Sequence, residues 1–172
     1  MNFLSHIPRA SPLAGLALAF LLLVSFPALA QKSERTRVID SILGVGIGTS
    51  LDQVHAKLDP LSTRESRDSH KEAEDRKAGR KQAWTLNATD FATIAVKTNG
   101  QGRVVWITGF VRPGKDIPFA NLGNLSSAAS LTDTRAIWSV ATPGGGYRLV
   151  AKGQNGKARV ISLLSLATPT WK

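Results

Sequence analysis

Asn99-Gly100-Gln101-Gly102-Arg103-Val104-Val105-Trp106-Ile107 comes back 56 residues later as Asn155-Gly156-Lys157-Ala158-Arg159-Val160-Ile161-Ser162-Leu163. In each copy an Asn-Gly pair stands before a run of apolar and β-branched residues. Asn and Gly tolerate positive φ, so each copy reads as a hairpin turn feeding a strand. Working outward at the same shift, Phe91 falls on Tyr147 and Ile94 on Val150, and Trp84 meets Trp138 at a shift of 54. The strand segments are Gln82 to Leu86, Ala92 to Thr98 and Arg103 to Val111, then Ala136 to Ala141, Tyr147 to Lys152 and Ala158 to Leu166. This self-similarity predicts an internal duplication of a three-strand meander.

The flanking segments have helical signals. Apolar residues at 38, 39, 42 and 43 predict a short helix stopped by Gly44, Gly46 and Gly48. Ser50 reads as an N-cap with Gln53 as its capping-box partner, and Leu51, Val54 and Leu58 form one apolar stripe before Pro60. Residues 63–81 mix seven basic with five acidic side chains and read as a solvated linker, either helix or mobile loop. Asn121 to Asp133, rich in Ala, Ser and Leu, predicts a second short helix. The expected fold class is α+β, in two tandem units, each one or two short helices packed on one face of an antiparallel β-meander. The units span 31–112, with the charged linker 63–81, and 113–172.

The first thirty residues differ from the rest. A polar leader containing Arg9, an apolar core from Leu13 to Val24 and the small residues up to Ala30 form the pattern of a secretory signal cleaved near Ala30. That core of about 12 residues is short of the roughly 20 that cross a bilayer as a helix. Cleavage leaves 142 of the 172 residues, periplasmic or secreted, and takes away Arg9 and no acid, so the net charge falls from +10 to +9. Residues 84–172 carry 10 basic and 3 acidic side chains and hold +7 of it. Such a surface favours anionic partners. Export leaves nucleic acid the least favoured of these.

Chemistry is excluded largely by composition. With no cysteine, thiol catalysis, disulfides and cysteine-ligated metals are all absent. Only His55 and His70 follow the signal, without metal-ligand spacing, and no Gly-x-Ser-x-Gly or His-Glu-x-x-His occurs. The Gly44-x-Gly46-x-Gly48 run lacks the preceding strand and the Lys-Ser/Thr pair of a phosphate loop. The expectation is a protein that is not an enzyme and uses no cofactor or metal.

Side chains alternate along strands, so the repeat separates two sheet faces. Val105 and Ile107 match Ile161 and Leu163, apolar in both copies, and are assigned to the helix-covered face. The other face then carries Val104, Trp106, Thr108 and Phe110 beside Val160, Ser162 and Leu164. Trp106 and Phe110 are the candidate anchors for a partner, with Arg103, Arg148, Lys152 and Arg159 as rim charges. The alternative role for the two aromatics is to fill the junction between units. Trp84 and Trp138 are expected in the core.

Gly46 to Leu58, a glycine-capped helix followed by a charged linker and a meander, resembles the unit of the β-lactamase-inhibitor-protein-like fold, also found once in small outer-membrane assembly lipoproteins. The resemblance covers most of 38–166. It implies that two helix-plus-sheet units build one surface that grips another protein. This chain lacks both the lipid-bearing cysteine and the paired cysteines of those proteins. The expected partner is an envelope protein, with an anionic envelope polymer or lipid headgroups as the alternative.

Overall fold

The computed structural model describes residues 37–69, 79–143 and 145–166. The expected signal segment, His70 and Pro169 lie outside these. The described residues form an α+β fold dominated by antiparallel sheet. A hairpin of β1 (Ser41–Ile42) and β2 (Val45–Gly46) leads into helix α1 (Leu51–Leu58) and the shorter α2 (Arg64–Ser69). Then come β3 (Lys81–Thr85), β4 (Phe91–Thr98), β5 (Val104–Val111), β6 (Ile117–Pro118), β7 (Ser130–Leu131), β8 (Arg135–Thr142), β9 (Gly145–Gln154) and β10 (Lys157–Ser165). The order is β3-β4-β5-β10-β9-β8-β7, with β6 also on β10.

The helix expected at 38–43 is replaced by the hairpin. Leu43 and Gly44 take φ of 50° and 75°, the paired left-handed geometry of a two-residue turn, and Ile42 pairs with Val45. Ile42 and Val45 are both buried. The same apolar residues therefore reach the core from two short strands. Gly46 follows because a Cβ there would come within 2.5 Å of the Asp40 carbonyl.

Helix α1 forms where its cap predicts. Ser50 Oγ accepts from Gln53 N at 3.4 Å, and Ser50 N donates to Gln53 Oε1 at 3.2 Å. Val54 and Leu58 are buried, and the helix start is tied to β5 by Gly48 N to Val104 O and Val104 N to Thr49 O. Within the charged segment 63–81, α2 takes up the first residues, and Thr63 N donates to Thr85 O along the edge of β3.

Register across the six long strands places two rows on the core face. One is Gln82, Val96, Ile107, Leu163, Leu149 and Trp138; the other is Trp84, Ile94, Gly109, Ile161, Ala151 and Ala136. Paired residues point to one side of a sheet, so these twelve form the floor of the core. Ile107 and Leu163, superposed by the 56-residue shift, are direct partners. The outer strands keep a different register. Ile94 lies on the core face, whereas Val150 pairs with Ser162 and Ile137 on the other. Trp84 and Trp138 occupy adjacent rows instead of one.

The helix expected over Asn121 to Asp133 does not form. Single 3-10 turns occupy Phe119–Asn121 and Leu125–Ser127, followed by β7. Asn124 Oδ1 accepts from Ser126 N at 3.0 Å, the local competition by which Asn and Ser divert a chain from helix. Packing holds this path. Gly123 lies against the Trp138 ring, where a Cβ would stand 3.1 Å away, and Trp138 Nε1 donates to Asn124 O at 2.9 Å.

Candidate functional site: the open face of the sheet

Hairpin β1–β2, α1 and the 3-10 turns contribute Ile42, Val45, Val54, Leu58, Phe119 and Leu122 to the core. The intervening positions of the six strands point the other way. One row is Lys81, Lys97, Trp106, Leu164, Arg148 and Ser139. The next is Ala83, Ala95, Thr108, Ser162, Val150 and Ile137, and the third is Thr85, Thr93, Phe110, Val160, Lys152 and Arg135. This open face has an apolar floor along β5 and β10. Its centre is low, with Thr108 and Ser162 hydroxyls bonded at 2.6 Å.

The floor is bounded by cations. Lys81, Lys97, Arg148, Lys152 and Arg135 are exposed at these positions, and none of the eighteen registered positions is acidic. Lys81 Nζ stands 5.2 Å from the centre of the Trp106 ring, a cation–π contact that reaches across β4. Phe110 is 43% exposed and Trp106 is half-buried. A depression of about 210 Å³ is lined by Trp106, Val150, Lys152, Val160, Ser162 and Leu164.

Four of the six candidate residues share this face: Trp106, Phe110, Arg148 and Lys152. The other two do not join them. Arg103 precedes β5 and donates to Gly48 O at 3.2 Å, where it borders a separate cleft of about 500 Å³ with Asp40 and Tyr147. Arg159 sits at the bulge between Ala158 and Val160, donating to Lys115 O at 3.0 Å and lying 3.7 Å from Asp116. Val104, assigned to the open face by alternation, is only 1% exposed, because a register shift at Lys97/Thr98 brings it under the segment before α1.

Sequence alone does not single out Lys81, Lys97 and Arg135. Alternation in β3 and β4 marks the two lysines as outward, but only cross-strand register sets them beside Trp106.

Asp116 carries a hydrogen bond from the Lys157 ammonium at 2.8 Å, which holds its carboxyl below the usual range, with the Lys157 and Arg159 charges adding to the effect. Burial pushes the Tyr147 hydroxyl up, and the Asp40 charge adds to this.

His55 and Asp59 meet, but inside the fold. His55 Nδ1 is 3.2 Å from both Asp59 oxygens, and Asp59 Oδ1 also accepts from Trp84 Nε1 at 2.8 Å. The His55 ring meets the Trp84 ring edge-on at 5.3 Å. Neither residue lines either of the two cavities above. The cluster fastens the C-terminal turn of α1 to Trp84.

Among the described residues no group of three His, Asp or Glu side chains could hold a metal, and no helix is long and apolar enough to cross a membrane. No protein-family model, curated protein or solved structure matches the chain.

Proposed function

We propose that this is an exported, non-catalytic binding module of the bacterial envelope that grips an acidic protein partner through its open sheet face. The observation that carries the reading is an apolar, aromatic floor flanked by five cations with no carboxylate among them. Aromatic anchors inside a charged rim concentrate binding energy, while the charges steer the approach. Export rests on the signal pattern of the first thirty residues.

The two meanders β3–β5 and β8–β10 are read as tandem units descended from one. The β5–β10 junction at Ile107 and Leu163 supports this, as does the likeness of Gly46 to Leu58 to the β-lactamase-inhibitor-protein-like unit. The second unit has then lost its helix and the outer strands have slipped in register.

Capture from envelope extract, comparing wild type with Trp106→Ala, tests the function. A specific partner retained by wild type and lost by the variant is the expected result, and identical partner lists count against it. The competing reading, a binder of anionic polymer or headgroups, is favoured by the same five cations. It predicts binding that collapses above about 0.1 M salt, whereas an aromatic-led interface persists.

A further inference from the structure

We infer that the open face is shaped for one kind of occupant, an acidic amphipathic α-helix lying along β5 and β10. The inference rests on the proposed binding role of this face and specifies its ligand. Three features lead to it: the width of the floor, the placement of the cations and the state of the sheet's backbone.

The apolar floor is two strands wide: Trp106 and Phe110 on β5, Val160 and Leu164 on β10. The nearest cation columns stand on β4 (Lys97) and on β9 (Arg148 and Lys152). From β4 to β9 is three strand spacings, about 14 Å. A helix with its side chains is about 10–12 Å across. Its apolar stripe fits the floor, and carboxylates on its two flanks meet Lys97 on one side and Arg148 and Lys152 on the other. The low centre at Ala95, Thr108 and Ser162 leaves room for the ridge of large side chains that such a stripe carries.

Backbone chemistry separates a helix from an extended peptide. β5 is paired on both sides, to β4 and β10, and β10 to β5 and β9. Their N–H and C=O groups are therefore spent in the ladder and offer nothing to a strand laid on top. An extended peptide would bury its own backbone groups unpaired, whereas a helix satisfies them internally. A flexible polyanion would gain from the cations but has no use for the aromatic floor between them. The floor from Trp106 to Phe110 covers four residue steps of β5, about 13 Å or about nine helical residues, so a helix of about 18 residues spans it with roughly a turn beyond each end.

The test uses dye-labelled 18-residue peptides and fluorescence anisotropy with the purified full chain. One peptide is a helix with an apolar stripe flanked by glutamates. The second has the same composition with order scrambled around two prolines, and the third replaces glutamate by lysine. The helical peptide is expected to bind at least 10-fold tighter than either control. The double substitution Lys97→Glu/Lys152→Glu should weaken it at least 10-fold, and Lys57→Glu on α1 should leave it unchanged. Circular dichroism checks that each variant is folded.

Equal binding of the proline-containing peptide overturns the helix and leaves the open face as a site for extended or polymeric anions. Tighter binding of phosphatidylglycerol vesicles than of the helix overturns it in favour of a headgroup surface. Failure of all three peptides also overturns it, while loss of a captured partner on Trp106→Ala would still uphold the face itself. Binding indifferent to the double charge reversal overturns the assigned orientation and the inference with it.

Discussion

Ile107 stands directly opposite Leu163 across the β5–β10 ladder, and neither exposes any surface. The two central strands meet here, so this buried contact belongs to both halves of the sheet. Leu163→Ala should lower stability by about 2–5 kcal/mol and Ile107→Val by about 0.5–1.5 kcal/mol. Because the residues touch, the double variant should depart from the sum of the singles by about 0.5 kcal/mol or more. Urea midpoints at constant slope give these values. Strict additivity would mean the two sites do not share a cavity.

Trp84 and Trp106 predict opposite responses. Trp84 is fully buried with its indole N–H on Asp59, so Trp84→Phe loses both volume and a bond to a carboxylate, about 2–3 kcal/mol. Trp106 lies half-exposed on the open face, and Trp106→Ala should lower stability by about 1 kcal/mol or less while abolishing partner capture. Equal loss of stability in both would return Trp106 to a structural role.

Tyr147 predicts a sensitivity to alkali. Its hydroxyl donates to Val38 O at 3.4 Å, and its folded pKa lies above the ordinary 10.0. The neutral ring is thus favoured in the fold, and its contribution is complete below pH 10. Above that the unfolded chain ionises first, and the contribution is lost as pH rises through the raised folded value. Tyr147→Phe should reduce stability at neutral pH by about 1 kcal/mol and flatten the decline above pH 10. Thermal melts across pH 7 to 11 test it.

Gly109 is held small by Phe91. A Cβ at 109 would come within 2.6 Å of the Phe91 ring, so Gly109→Ala should cost about 1–3 kcal/mol. In a Phe91→Leu background the same change should cost less. An undiminished cost there would place the constraint on Ile94, whose Cδ1 would stand 3.1 Å from the same Cβ.

Much of this arrangement could be read from residues in order. The capping box at Ser50 and Gln53, the six long strands and the outward placement of Trp106 and Phe110 all rest on local chemistry and period. The misreadings have a common cause. Apolar residues at 38, 39, 42 and 43 suit a helix face or two strands joined at a turn, and only the left-handed Leu43-Gly44 pair decides between them. Asn124 and Gly123 redirect a helix-compatible segment through contacts with Trp138, which lies outside that segment on β8. The face itself was only half legible, because alternation assigns a side within one strand while register decides its neighbours. The bulge at Lys97/Thr98 shifts Val104 off the side alternation assigns, while Arg159, in phase with the core residues Ile161 and Leu163, is the bulged residue between Ala158 and Val160.

The two buried tryptophans are anchored by unlike acceptors. Trp84 donates to the carboxylate of Asp59, and Trp138 donates to the main-chain carbonyl of Asn124. A side-chain acceptor can be deleted by one codon change; a carbonyl survives every substitution at its residue. The acceptor for Trp138 therefore survives substitution at its own residue, while the acceptor for Trp84 depends on the identity of one acid. Over evolutionary time, drift at position 59 should be fatal more often than drift at position 124, and random mutagenesis scored by folding would show the imbalance.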